Sequence, residues 1–173
     1  WKAFVLGMAS RLNEGVIPLR KDLNLLISSL EDAGAQRTVN QYVRPVLRLI
    51  NSFGLHLARL DIRQNSATYD LALGQMMQAA GIEGGEGFGM WSLEKKLNFL
   101  NTELSHPRPM THSSMKLPPE AEEVRATFHE LVDHLDRRGS EGLGCLVVSM
   151  TRSVADLLLV YVLGKEVGLT QFV

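Results

Sequence analysis

Twice in this chain of 173 residues a short strand-like run passes directly into a helical one, and this repeat limits the fold more than any other feature. The first run is "GLHLARLDIRQNS", Gly54 to Ser66, followed by "QNSATYDLALGQMMQAAGI", in which Leu71, Met76, Met77 and Ala80 fit a helix stopped at Gly81. The second is the continuous apolar run Leu143 to Met150, the pattern of a strand buried on both faces of a parallel sheet. A helix begins at once behind it. Ser153 with Asp156 three residues later forms a capping-box pattern, and Val154, Leu157, Leu158, Tyr161 and Val162 continue as its inward stripe. Strand then helix, repeated, is the grammar of a β/α barrel or a doubly wound sheet, whose sites form at the C-terminal ends of strands. The expected fold is mainly α with two short parallel strands, Leu55 to Arg63 and Leu143 to Met150, lying adjacent as part of an incomplete β/α barrel of the TIM type.

The remaining segments read as helices. Val5, Met8 and Leu12 are helically spaced and closed by Gly15, and Leu19, Leu23, Leu26 and Leu30 form a second stripe stopped at Gly34. A helix over 38–52 carries Val39, Val43, Val46, Leu47 and Ile50; Pro45 inside it, with no N–H to donate, predicts a kink or restart. Ser92 caps a helix with Leu93, Leu97 and Leu100 on its core face. From Pro119 the sequence is helical by every local signal: Glu120, Glu122 and Glu123 at the start, Val124, Phe128, Leu131 and Leu135 as the stripe, Arg137 and Arg138 at the end, Gly139 as the exit. The segment from Gly81 to Trp91 holds five glycines but no G-x-G-x-x-G frame and no following Lys-Ser/Thr, so it reads as a surface loop. The chain is treated as one domain: a helical segment 1–53, then 54–173 with two strand-helix units and an insertion over 81–140.

Lys plus Arg number 18 against 19 Asp plus Glu, with no basic or acidic block, which argues against nucleic-acid and membrane partners. The apolar run Leu157 to Leu163 is far shorter than the roughly 20 residues a membrane span needs. Cys145, in "LGCLVV", has no cysteine to pair with and is expected to be a buried thiol of a cytoplasmic protein. His129 and His134 are five apart, roughly 140° around a helix, so they do not form a metal pair, and no metal site is expected in this chain. Trp1 and "VGLTQFV" at the two ends suggest a piece of a longer polypeptide.

The alternation in the first run places Arg59, Asp61 and Arg63 on one strand face and Ala58, Leu60 and Ile62 on the other, the latter expected to turn outward to helices. Arg63 stands at the strand's C-terminal end with Gln64, Asn65 and Ser66. A guanidinium fork matches phosphate or carboxylate, and an aspartate between two arginines would stay ionised and hold one in place. A solvated ion-pair ladder accounts for the same spacing equally well. Ser149 and Arg152 lie where the second strand turns into its helix, either as site-lining groups or as residues that close the helix start.

Two stretches carry a resemblance. "FGLHLARLDIRQNS" resembles the segment FG-x-x-L-x-R-x-D-I-R-Q-x-S of phosphoenolpyruvate carboxylases, and "LVVSMTRSVADLLLVYVLGKEVGL" is similar to their downstream I-S-M-x-x-x-x-S-D-V-L-x-V-x-x-L-x-K-E-x-G segment, with "LNTELSHPRPM" agreeing between them. The likeness runs from about Val39 to Leu169; Val154 and Ala155 stand where the family commonly has Pro-Ser. The resemblance implies a cytoplasmic lyase that joins phosphoenolpyruvate and bicarbonate into oxaloacetate and phosphate, using magnesium or manganese, on a β/α barrel assembled as a homotetramer. It implies that Arg63 contacts the substrate phosphate and that Arg59, Asp61 and Gln64 occupy substrate-binding motif positions. The family's T-A-H-P-T, Y-S-D-S-x-K-D and H-G-R-G-G motifs and its metal ligands are not in the chain, so it is expected to carry one wall of the pocket, no catalytic residue and no activity alone. The alternative is a non-catalytic helical interaction or regulatory module of the same architecture.

Overall fold

The computed structural model describes residues 1–169, which group into two compact units. Unit 1 comprises Trp1–Leu60 with Ser140–Gly144. Its elements are α1 (Lys2–Ser10), a 3₁₀ turn (Leu12–Glu14), α2 (Val16–Asp32), α3 (Gln36–Thr38), a π-helical segment (Val39–Val43) and α4 (Arg44–Phe53). The four-leucine stripe of α2 is buried as its spacing demands, packing with Met8, Val39, Val43 and Ile50. Pro45 sits in the first turn of α4, where its missing N–H costs nothing, and the π segment absorbs the break ahead of it. The helix expected through Leu12 ends instead at Ser10, and only Met8 of its stripe is buried. Val46, placed on the apolar side, is exposed.

Unit 2 comprises Asp61–Gly139 and, among the described residues, 145–169. It contains β1 (Leu60–Asn65, apart from its first residue), α5 (Ser66–Ala79), a 3₁₀ turn (Gly85–Met90), α6 (Leu93–Ser105), α7 (Pro119–Arg138), β2 (Leu143–Ser149, apart from its first two residues) and α8 (Val154–Glu166). The strands are parallel neighbours. Side-chain hydrogen bonds join Asp61 to Cys145 and Gln64 to Ser149 between the strands, and Ser66 to Met150 just past their ends, and separations of 84, 85 and 84 residues stay nearly constant only if both segments run the same way. The core gathers Tyr69, Leu73, Met76 and Met77 of α5 with Phe88, Leu100, Phe128, Leu159 and Leu163. Residues 170–173, the end of the segment expected to span 54–173, lie outside the described residues.

Several expectations are corrected. The first strand begins at Leu60 rather than Leu55, because Gly54 and Leu57 both take positive φ and turn the chain. Arg59 therefore precedes the strand. Leu60 is 73% exposed and Ala58 is exposed, so neither is covered by helices. β2 is only half-buried and Cys145 is exposed in the two-stranded sheet that the described residues form, rather than buried as expected. In α8 the buried stripe is Ala155, Leu159, Val162 and Leu163, with Val154, Leu157 and Tyr161 outside. Leu71 of α5 is likewise exposed. The glycine-rich segment is packed rather than loose: Phe88 and Gly85 are buried, and α5 passes so close that a Cβ built on Gly74 would lie 2.5 Å from the Gly85 carbonyl oxygen.

Candidate functional site

Both strand-to-helix junctions of unit 2 lie at the C-terminal ends of parallel neighbours, and short hydrogen bonds stitch them together. Asn65 caps α5 by accepting from the Ala67 N–H (2.8 Å), which frees the Ser66 hydroxyl to donate to the Met150 carbonyl (2.8 Å). Met150 itself is held at φ +57°, a left-handed conformation that costs a non-glycine residue about 1 kcal/mol or more and that concentrates at functional turns. The Ser149 hydroxyl donates to the Gln64 carbonyl at 3.4 Å, so Ser149 joins the strand ends rather than facing a ligand. Gln64 turns its side-chain oxygen back to its neighbour, accepting from the Asn65 N–H at 2.8 Å.

Arg63 and Asp61 do share a strand face. Arg63 Nη2 lies 3.3 Å from Asp61 Oδ2, while Asp61 Oδ1 accepts the Cys145 N–H at 3.0 Å. Asp61 is thus fixed to the neighbouring strand and holds one edge of the guanidinium, whose side chain remains 73% exposed. The Cys145 N–H first, and then Arg63, keep the Asp61 carboxyl below its ordinary range, so it stays ionised. An arginine oriented from one side and open on the other can bind an oxyanion with its free edge. Arg59 belongs to unit 1 and is exposed, with no hydrogen bond or ion pair among the described residues.

Behind the second junction is a charged cluster that the sequence pattern did not reveal. Arg152 donates through its backbone N–H and Nε to Asp156 Oδ2 (2.7 and 3.3 Å), and through Nη2 to Asp156 Oδ1 (2.7 Å) and Asp70 Oδ2 (2.6 Å). Lys96 Nζ reaches the same Asp70 oxygen at 3.0 Å. Burial pushes the Asp156 carboxyl up, but the Arg152 guanidinium and the N–H groups of Arg152 and Ser153 outweigh it, leaving the group below its usual value. The same two carboxylates drive the Arg152 guanidinium further up, so it is permanently charged. Asp70 and Lys96 are both buried, two cations answering two carboxylates. Their signal was available: each interrupts the apolar stripe of its helix, Asp70 beside Leu73 and Met77, Lys96 beside Leu100. Asp156 also completes the expected capping box with Ser153.

Among the described residues no group of three or more His, Cys, Asp or Glu side chains could hold a metal ion, and no helix is long and apolar enough to cross a membrane. The described residues thus form a mainly helical protein with two short parallel strands, each passing into a helix, and polar groups collect at the strand ends. Residues 12–173 match the family model for phosphoenolpyruvate carboxylase. The chain is similar to the phosphoenolpyruvate carboxylase of Roseiflexus castenholzii (34% identity over 87% of the chain), to that of Bradyrhizobium diazoefficiens (33% over 90%), and to phosphoenolpyruvate carboxylase 4 of Arabidopsis thaliana (33% over 87%). It belongs to the phosphoenolpyruvate carboxylase family. It spans 16%, 16% and 14% of the lengths of these relatives.

Proposed function

We propose that this chain is part of a phosphoenolpyruvate carboxylase, a cytoplasmic homotetrameric lyase that carboxylates phosphoenolpyruvate with bicarbonate to oxaloacetate and phosphate. Within it, unit 2 supplies a phosphate-binding wall. The observation that carries this reading is Arg63, steered on one side by the strand-anchored Asp61 and open on the other, at the C-terminal end of a parallel strand in a chain of this family. The free edge of the guanidinium takes the phosphate of phosphoenolpyruvate, Asp61 sets its direction, and Gln64 backs the strand end. In this reading magnesium or manganese serves the parent enzyme, and no step is assigned to it here.

The test uses the longer polypeptide, with oxaloacetate formation coupled to NADH oxidation. Arg63→Ala raises KM for phosphoenolpyruvate and lowers kcat about tenfold or more, because the lost contact both binds and orients the phosphate. Arg63→Lys recovers part of the loss, since it keeps the charge but not the fork. Kinetics unchanged in Arg63→Ala would refute the assignment. In the same assay the 173 residues alone are expected to give no turnover, since they span only 16% of the length of the Roseiflexus castenholzii relative.

A further inference from the structure

Unit 1 contains a cavity of about 450 Å³ that the phosphate wall does not use. Arg20 of α2 and Arg59 of the segment before β1 line it together with Asn51, Ser52 and His56. Two arginines of this unit are paired, Arg11 with Asp22 at 2.6 Å and Arg44 with Glu31 at 2.8 Å. Arg20 and Arg59, by contrast, have no ion pair or hydrogen bond among the described residues, yet both face one concavity. Glu141 is the only carboxylate among the lining residues.

The wall between them is built under constraint. A Cβ on Gly54 would lie 2.7 Å from His56 Cε1, and one on Gly142 would lie 3.0 Å from His56 Cβ. Both glycines have positive φ, which favours glycine, and the His56 imidazole lies against the backbone of both. Leu57, next in sequence, is forced to φ +64° with its side chain exposed. Strain of that kind is retained where the turn has work beyond packing. The cavity falls within the size range of small-molecule sites, about 300–1,000 Å³.

We propose that unit 1 binds a small phosphate-bearing anion in this cavity, gripped by the Arg20 and Arg59 guanidinia beside the His56 ring. Two planar donor forks converging on one concavity suit a tetrahedral dianion, which can accept from both at once. Asn51 and Ser52 add neutral polar groups at the rim.

Inorganic phosphate is the probe, titrated calorimetrically into the longer polypeptide carrying Arg63→Ala, with chloride holding ionic strength constant so that general screening does not vary. Saturable phosphate binding is expected to survive Arg63→Ala and to weaken about tenfold or more when either Arg20→Ala or Arg59→Ala is added. Both side chains are exposed and unpartnered, so the substitutions remove nothing that holds the fold; unchanged circular dichroism verifies this, and Arg20→Gln with Arg59→Lys provides a second pair. Arg59→Lys, which keeps the charge but not the fork, is expected to recover only part of the affinity lost in Arg59→Ala. The proposal is overturned if the Arg63→Ala protein binds no phosphate saturably, or if removing Arg20 and Arg59 leaves its affinity within about twofold. The Arg63 assignment is read from kinetics instead, so either idea can fail while the other stands.

Discussion

Asp70→Ala should be the most damaging polar substitution in unit 2. The carboxylate is 5% exposed and accepts from Lys96, itself 7% exposed, and from Arg152. Arg152 is half-exposed and retains Asp156, so it loses one of two partners and can be rehydrated. Lys96 has neither escape: among the described residues its ammonium is bonded to Asp70 alone, with the Phe88 ring 5.0 Å away. Stranding one member of a buried pair costs about 3–5 kcal/mol, which in a chain of this size lowers Tm by roughly 6–20 °C. Lys96→Met should cost less, about 1–3 kcal/mol, because Asp70 keeps Arg152 and the methionine still fills the space over Phe88. The double change Asp70→Ala with Lys96→Met leaves no stranded charge and should cost less than the sum of the two single effects. Urea unfolding followed by Trp91 fluorescence measures all of these in a Trp1→Phe background, since the chain has only two tryptophans and Trp91 packs on Phe88 at 5.2 Å. If Asp70→Ala costs under about 1 kcal/mol, or if the two single effects simply add in the double variant, the pair does not behave as a buried ionic couple and the reasoning fails.

Gly74→Ala should destabilise unit 2 by about 1–3 kcal/mol despite the better helix propensity of alanine, because the new methyl meets the Gly85 carbonyl oxygen at 2.5 Å and backbone must move. A raised denaturation midpoint would contradict it. Asp156 has a folded-state pKa below its ordinary 3.8, so its contribution is fully present above that value and is lost as pH falls through the lower one. Asp156→Asn should therefore show a stability deficit that is constant near neutrality and shrinks between about pH 5 and pH 2. Thermal melts across that range test the sign; a deficit that grows on acidification would reverse it.

What could be read from the sequence was whatever is written locally. The helix Pro119–Arg138 has its proline, acids, bases and exit glycine in consecutive order, and the structure reproduces both ends. The capping box at Ser153 is equally local. The stripe of α8 was not legible, because the helix is apolar on nearly every side and no periodicity marks the face that Leu159 and Leu163 bury. The start of β1 depended on a positive φ at Leu57, which no residue type announces. Asp70 and Lys96 meet across 26 residues, and each alone looks like an isolated charge on an apolar stripe. Arg63 and Asp61 were placed on one face by simple alternation and were found there, whereas Arg59 fell out of the strand and into unit 1.

The constant offset of 84 residues between the paired strands also sets an order of events. A ribosome adding about 5–20 residues per second delivers β2 roughly 4–17 s after β1. Helices α5, α6 and α7 form in microseconds and can pack through Phe88, Leu100 and Phe128 long before then. Until β2 is made, β1 lacks the neighbour it has in this sheet, and Leu60 stays exposed even once the sheet is complete. Asp61 and Arg63, the charges on the strand face opposite Leu60, then act as gatekeepers, discouraging the nascent strand from pairing with another chain before β2 arrives.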